Sequence, residues 1–274
     1  MPIKWHLQIM HRIHSGKWIN FSNPKTFTEK LQWLKLNRVN PQYEKLVDKI
    51  AVKEYVASMI GQQYVIPTLR VFESLDEITI ESLPNKFVLK TNHAGGAGGV
   101  FVCKDKTHFN LETVKFELSK VLKGNWYRYG REYPYKNLTP RVFCEQLLET
   151  DSNGDLPDFK FYCFNGKPEY CQVIQNRSTS ETIDFYDMEW KRQEFWGLNV
   201  KTKKSMTDMP CPKNFELMKD LAFQLSKDMP FVRVDLYNVD GKVYFGELTF
   251  FPASGFGKFT PAKYNQILGE MIKL

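Results

Sequence analysis

Two short stretches near the end of the chain, Arg233-Val234-Asp235 and Gly246-Glu247-Leu248-Thr249, constrain the fold most strongly. Both lie in strand-like runs. Phe231 to Tyr237 and Lys242 to Phe250 are rich in β-branched and aromatic residues. Asn238-Val239-Asp240-Gly241 between them is a turn signal, so the runs are predicted to pair as a hairpin. Side chains alternate along a strand, which puts Arg233 and Asp235 on one face. The same rule puts Phe245, Glu247 and Thr249 on one face of the return strand. Two carboxylates and a guanidinium together suit a divalent cation held against phosphate, because hard cations take oxygen ligands and Arg forks onto phosphate. The alternative is a surface ion pair on a solvent-facing hairpin, which is common and weak.

Lys90-Thr91-Asn92-His93-Ala94-Gly95-Gly96-Ala97-Gly98-Gly99-Val100 is the second signal. An apolar strand, a lysine, a glycine-rich turn and another apolar strand describe a hairpin whose loop can fold over phosphates. Glycines let backbone N–H groups approach an anion without a Cβ in the way, and the lysine adds a point charge. The stretch is neither a P-loop nor a dinucleotide fingerprint: no G-K-[ST] follows, and no helix opens after it. Its plain alternative is a flexible hairpin tip.

Charge and length set outer limits. The 274 residues suffice for one large or two modest domains. The 38 basic and 31 acidic residues leave a net charge of +7, which favours an anionic partner such as a nucleotide, an acidic glycan, nucleic acid or a membrane surface. Most of the 21 Phe and 13 Tyr fit core packing. Cys103, Cys144, Cys163, Cys171 and Cys211 form an odd set with no C-x-x-C and read as buried free thiols of a reducing compartment. The opening residues lack the apolar stretch of a signal peptide, and no run reaches transmembrane length. The expectation is a cytoplasmic protein, with peripheral contact at the inner membrane face left open.

Along the chain, the first sixty residues read as helical, with helices over Thr26 to Leu34 and Asp48 to Met59, the second stopped by Gly61. His11 and His14 have metal-compatible spacing but no partner ligand nearby, so they read as surface histidines. Strands are predicted at Tyr64–Phe72, Phe87–Lys90, Val100–Cys103, Val142–Leu148, Asp158–Phe164, Glu169–Gln175 and Thr182–Tyr186. Helices are predicted at Leu111–Leu122, Asn214–Lys227 and Pro261–Ile272, and Lys191 to Pro212 reads as a polar loop or lid. The pattern is α+β with mostly antiparallel hairpins. Within it, Asp158, Lys160 and Tyr162 share a face, so Lys160 can reach a phosphate. Arg177 at a strand end can bind an acidic substrate or phosphate. For both basic residues a solvated surface position is the alternative. The strand through Glu145, Gln146 and Leu147 suits a hinge whose backbone reads an adenine edge; an ordinary strand is its alternative.

Taken in order, these pieces resemble the ATP-grasp superfamily: Lys53 after Asp48-Lys49-Ile50-Ala51-Val52, Lys90 with its glycine loop, Glu145, then R-x-D and E-x-T. More narrowly the chain is similar to the TupA-like (teichuronopeptide-biosynthesis) branch. The similarity is carried by Asn23 through Trp33, by Asp158-Phe159-Lys160-Phe161 with Phe164-Asn165-Gly166-Lys167, and by Phe245 through Phe250. It covers nearly the whole chain.

The resemblance implies an ATP-grasp fold, with two α+β lobes of mainly antiparallel sheet enclosing the nucleotide. It divides the chain into a short helical N-terminal region (1–61), a small nucleotide-binding lobe with the glycine-rich hairpin (62–145) and a larger lobe with the metal-binding hairpin (146–274). It implies ATP and Mg²⁺ as cofactors. Lys53, Lys90, Gly95, Gly96, Gly98, Gly99, Glu145, Gln146, Leu147 and Lys160 would bind the nucleotide. Asp235, Glu247 and Thr249 would hold metal, with Thr249 standing where many members carry Asn. Arg233 and Lys160 would act in catalysis, and Arg177 would bind substrate. The implied reaction joins a carboxylate to an amine through an acylphosphate. Its expected substrates are a uronic-acid carboxyl of a surface polysaccharide and an amino acid, with no nucleic acid as partner. A glycosyltransferase of capsule or lipopolysaccharide assembly is the alternative; the metal-binding D-x-D tripeptide common in such enzymes is absent from the sequence.

Overall fold

The structure, a computed structural model, describes residues 1–94, 98–149, 155–177, 179–198 and 202–274. Gly95 and Gly96 therefore lie outside the described residues. Two compact units divide the chain. The larger comprises Met1–Asn40, Gly130–Glu132 and Thr150–Leu274; the smaller comprises Pro41–Tyr129 and Tyr133–Glu149. These bounds differ from those expected at 61/62 and 145/146. Residues 41–61 go with the smaller unit because Asp48 and Lys53 are tied there, to Asn92 and Glu145.

The larger unit opens with α1 (Ile3–Ser15) and α2 (Phe27–Asn37). A capping box starts α2: Thr26 Oγ1 accepts from the Glu29 N–H, and the Glu29 carboxylate accepts from the Thr26 N–H at 3.0 Å. The smaller unit follows with α3 (Gln42–Val47), α4 (Val52–Ile60), β1 (Thr68–Phe72), β2 (Phe87–Thr91), β3 (Val100–Cys103), α5 (Leu111–Leu122), α6 (Trp126–Gly130, whose last residue counts with the larger unit) and β4 (Val142–Glu145). Its sheet runs β1-β4-β2-β3, antiparallel throughout. Phe87 and Leu89 of β2 turn to one face, where Leu118 of α5 packs with Phe72, Cys103 and Cys144. By alternation Val88, Lys90, Phe143 and Glu145 take the other face.

The chain then completes the larger unit with β5 (Asp158–Phe164), β6 (Lys167–Gln175), β7 (Thr182–Tyr186), β8 (Trp196–Leu198), α7 (Phe215–Ser226), β9 (Phe231–Val239), β10 (Lys242–Thr249), β11 (Lys258–Thr260) and α8 (Tyr264–Met271). Its main sheet has the order β10-β9-β5-β6-β7, again antiparallel. β5 lies inside this sheet and is buried along its whole length. One face carries Phe161, which stacks on Phe215 of α7 at 5.9 Å. The opposite face carries Tyr162, Phe231 and, through Phe231, Phe27 of α2, whose ring meets it edge-on at 4.9 Å. That second face also carries Lys160, Arg233 and Asp235.

Several expectations are corrected. The stretch from Lys191 to Pro212 is not all loop: it contains β8, which pairs antiparallel with β11, a strand absent from the expected set. Strands of three residues are too short to show a period. β4 stops at Glu145 rather than Leu148, and β1 starts at Thr68 because Gln62–Tyr64 form a 3₁₀ turn. His11 is not a surface residue: it is buried, with Nδ1 2.9 Å from the Lys17 carbonyl. Cys211 is exposed, while the other four cysteines are buried. Among the described residues no helix is long and apolar enough to cross a membrane.

Candidate active site

In the smaller unit, Glu145 sits between two lysines. Its Oε1 accepts from Lys53 Nζ at 2.6 Å, and its Oε2 accepts from Lys90 Nζ. The register explains the second contact, since Glu145 pairs with Val88 and so lies beside Lys90 on one sheet face. Lys53 arrives from the first turn of α4. It also donates to the Ile66 carbonyl at 2.8 Å and to Thr68 Oγ1 at 2.6 Å, and it lies 5.3 Å from the centre of the Phe143 ring. Burial lowers the Lys53 ammonium from its ordinary pKa; the Glu145 carboxylate opposes that, and the like charge of Lys90 adds to it. The cluster carries one more positive than negative charge. The Glu145 side chain is thus a lysine anchor, a role distinct from the backbone hinge read from the sequence. Gln146 N–H is already paired with the Pro67 carbonyl at 3.0 Å, and Gln146 and Leu147 lie beyond the strand end.

The base of the glycine-rich hairpin is fixed from below. Buried Asn92 donates to Asp48 at 2.9 Å and to the Thr139 carbonyl at 3.0 Å, and it accepts from the Arg141 N–H at 2.8 Å. Thr91 N–H bonds the Gly99 carbonyl at 2.9 Å, closing the hairpin one step beyond the Lys90–Val100 pair. Gly99 has φ +82°, and an added Cβ would stand 2.5 Å from Thr91 Oγ1, so only glycine fits. Gly98 is exposed at the tip.

In the larger unit, Arg233 is the centre. Its Nε donates to Asp235 Oδ1 at 2.6 Å and its NH2 to Asp235 Oδ2 at 2.7 Å. The same NH2 reaches Glu247 Oε1 and Thr249 Oγ1, each at 3.0 Å. Lys160 Nζ donates to Asp235 Oδ2 from the neighbouring strand, where Lys160 and Asp235 are register partners. Burial works against the Arg233 charge, but the Asp235 carboxylate overrides it and holds the guanidinium above its ordinary pKa. Burial pushes the Asp235 carboxyl upward, while Arg233 and Lys160 oppose the rise.

A β-bulge at Gly246 makes this convergence. Phe245 pairs with Leu236, and Glu247 pairs with Asp235, so one extra residue stands between two adjacent partners. This corrects the strict alternation expected from the sequence. Phe245 turns into the apolar face with Leu236, while Glu247 and Thr249 join Arg233 and Asp235. At Gly246 an added Cβ would stand 3.1 Å from the Asp235 carbonyl oxygen and 3.2 Å from the Tyr237 ring, so a side chain there would require these neighbours to give by a few tenths of an ångström. The hairpin turn is as read: Asp240 and Gly241 have φ of 53° and 99°, the two-residue turn that suits twisted strands. Arg177 lies at the end of β6 with its Nε 2.6 Å from Asp158 Oδ2.

Asp235, Glu247 and Thr249 offer only hard oxygen donors, the chemistry Mg²⁺ prefers. Among the described residues no group of three His, Cys, Asp or Glu is placed to hold a metal. Two carboxylates and a hydroxyl are a partial donor set of the kind that Mg²⁺ completes with phosphate oxygens and water, and here both acids are paired with Arg233.

One buried cluster in the larger unit escaped the sequence reading. Lys35 of α2 donates to the carbonyls of Gly130 at 2.7 Å and Ser254 at 2.8 Å, and it lies 4.9 Å from the centre of the Phe256 ring. Buried Glu132 accepts from Ser254 Oγ at 2.6 Å. Burial pushes Lys35 down to about 8 and Glu132 up, each opposed by the other's charge. The turn they hold follows β10 directly. Ala253, Ser254 and Gly255 have φ of 49°, 52° and 66°, a left-handed run that costs energy at the two non-glycine residues. Lys35 stands four residues after Leu31, on the apolar side of its helix, and that position is the signal that could have found it.

The TupA-like ATP-grasp family model matches residues 29–273. No curated protein matches the chain. Among solved structures, the D-alanine–D-alanine ligase of Bacillus anthracis complexed with ATP shares 16% identity at a TM-score of 0.40, over 75% of this chain and 54% of that one. The D-alanine–D-alanine ligase of Helicobacter pylori shares 16% at 0.44, over 90% and 69%. The ATP-grasp ligase PsnB, complexed with minimal precursor, Mg and ADP, shares 13% at 0.40, over 81% and 57%. The chain thus spans about half the length of the first of these. With the family model covering all but the first 28 residues and the last, the chain belongs to the TupA-like ATP-grasp family and has its α+β fold.

Proposed function

We propose that the protein is an ATP-dependent carboxylate–amine ligase. In this reading a substrate carboxylate oxygen attacks the γ-phosphorus of ATP, ADP leaves, and an amine then displaces phosphate from the acylphosphate to form an amide. The convergence of Arg233, Lys160, Asp235, Glu247 and Thr249 on one sheet face carries the reading. Phosphoryl transfer asks a protein for charge neutralisation and alignment rather than a nucleophile.

Lys53 and Lys90 would take nucleotide phosphate oxygens. Their surplus of positive charge over Glu145 supports that role, and the shared carboxylate keeps both ammoniums oriented. Asp235 and Glu247, with Thr249, would hold Mg²⁺, which when bound would offset phosphate charge. Arg233 would steady the developing acylphosphate, and Lys160 would lie ready for phosphate beside Asp235. For Gly98 and Gly99 the proposed role is to let backbone N–H groups close on phosphate, with Gly95 and Gly96 completing the loop. Gln146 and Leu147 would meet the adenine through backbone groups. Arg177 would exchange Asp158 for an acidic substrate group.

A uronic-acid carboxyl of a bacterial surface polysaccharide or its precursor, joined to an amino acid, is the substrate pair we favour. The +7 net charge supports an acidic substrate. A cytoplasmic site of action goes with that proposal. The test is incubation with ATP, Mg²⁺ and panels of uronic acids and amino acids, reading ADP against AMP. ADP release that requires both co-substrates is expected. AMP release, or turnover of a nucleotide sugar without ATP, would replace the reading, the latter with the glycosyltransferase alternative.

A further inference from the structure

The first 28 residues contain no Asp or Glu, while Lys4, Arg12, Lys17 and Lys25 give them four cations. Most of this stretch is α1 and the segment after it. One side of α1 is committed to the larger unit: Leu7 and His11 are buried, Leu7 packs with Ile19 and Phe256, and His14 stacks on Phe256 at 5.0 Å. The other side is apolar as well. Trp5, Ile9 and Ile13 follow one another at intervals of four and line a single stripe. Each stands two positions from Leu7 or His11, which places the stripe about 200° round the helix from the packed face.

The stripe is open to solvent. Trp5 is 62% exposed, Ile9 39% and Ile13 69%, and beyond the helix Trp18 is 57% exposed. Arg12 flanks the stripe and lies 5.8 Å from the centre of the Trp18 ring; Lys17 adjoins it and is exposed. Exposed apolar residues scattered singly are ordinary, but three on one helical stripe, with an exposed tryptophan three residues past the helix end, are not. An acid-free basic helix with an indole-bearing outer face has the physical character of a helix that lies flat in a membrane interface. Its rings and branched side chains enter the acyl boundary while its cations meet anionic headgroups. Thirteen residues span about 20 Å, too short to cross a bilayer and enough to lie along it.

We propose that α1, through Trp5, Ile9, Ile13 and Trp18, docks the protein on an anionic lipid bilayer. Charge decides between occupants: a second copy would bring another acid-free basic face against the first, whereas anionic headgroups complement it.

The test uses the full chain and sedimentation with vesicles of phosphatidylcholine alone or mixed with phosphatidylglycerol, without ATP, so that its failure and failure of the ligase reading stay distinguishable. Binding to the mixed vesicles at least about tenfold stronger than to phosphatidylcholine, and weakened by salt, is expected. A variant carrying Trp5→Ser, Ile9→Ser and Ile13→Ser alters only exposed side chains and should lose about tenfold or more of the partitioning. Arg12→Glu with Lys17→Glu should lose roughly fivefold per site while leaving the apolar stripe whole. Equal binding by the triple-serine variant would assign attachment to the general basic charge and overturn the proposal. Lack of binding to either vesicle would overturn it too, leaving the stripe to an acidic protein. Self-association that the triple substitution abolishes would likewise overturn it in favour of a second copy.

Discussion

The two buried charge clusters differ in their balance. In the smaller unit two ammoniums share one carboxylate, so Lys53, Lys90 and Glu145 leave a positive surplus. In the larger unit Arg233 and Lys160 meet Asp235 and Glu247, two charges against two. A surplus of half-buried cation favours an incoming anion, which is the role proposed for Lys53 and Lys90. A balanced set changes state only when a partner is exchanged; in the proposed reaction Mg²⁺ would take the acids and free the guanidinium for phosphate. Their construction differs too. The first joins a helix to a sheet, whereas the second lies on three adjacent strands and depends on one bulge.

The strongest way to break this comparison is at Asp235. Asp235→Asn keeps the shape but leaves Arg233 and Lys160 buried with half their counter-charge. Breaking a buried pair costs about 3–5 kcal/mol, and losing a preorganised electrostatic group costs about a hundredfold or more in turnover. Chemical denaturation and ADP release should show both losses. Glu247→Gln, at a more open position, should lose turnover with much less stability, and added Mg²⁺ should restore part of it. Wild-type turnover in both variants would return the hairpin to a mere ion-pair face.

Glu145→Gln tests the surplus. Neutralising the shared carboxylate leaves two lysines without their anchor and should destabilise the smaller unit by about 3 kcal/mol. Tripolyphosphate should then raise the melting temperature of the variant more than that of the wild type, because the anion replaces the missing charge. An equal shift in the two proteins would mean that the lysines do not receive phosphate.

Lys90→Ala should weaken ATP binding by about tenfold or more in calorimetry, the scale of one charge-assisted bond. Lys120→Ala is the control. Lys120 lies exposed on α5, paired with Glu117 at 2.7 Å, and its loss should leave affinity unchanged. Equal affinities in the two variants would reduce Lys90 to a strand-end lysine.

The last expectation concerns Lys35, which lies outside both clusters. With its folded-state pKa lowered to about 8, the folded protein binds fewer protons than the unfolded chain between pH 8 and the ordinary lysine value of about 10.4. Stability contributed by this site therefore rises with pH across that window and is least below it. A neutral amine keeps enough N–H groups for both carbonyls. The melting temperature of the wild type relative to Lys35→Met should climb from pH 8 to 10. A constant difference would show that the site does not titrate there.

Much of the site was legible because local chemistry fixes it. Asp240-Gly241 dictates the turn, alternation pairs Arg233 with Asp235, and the run from Lys90 to Gly99 dictates a hairpin. What escaped is instructive. The strict alternation that set Phe245 beside Glu247 fails because a bulge adds one residue, and Gly246 alone does not announce it. Glu145 was read for its backbone, since only the pairing of β4 with β2 brings its carboxylate to Lys90. Lys35 and Glu132 are separated by almost a hundred residues, and burial rather than pattern makes them partners.

By itself the sequence determined the α+β class, the family, the main hairpins and the chemical kind of each cluster, because periodicity, turn residues and donor type act over a few neighbours. Only the tertiary structure decided which charges are shared, which lysine is buried and which side of α1 stays open. Those depend on register and packing between distant segments, where a one-residue shift moves a side chain to the opposite face.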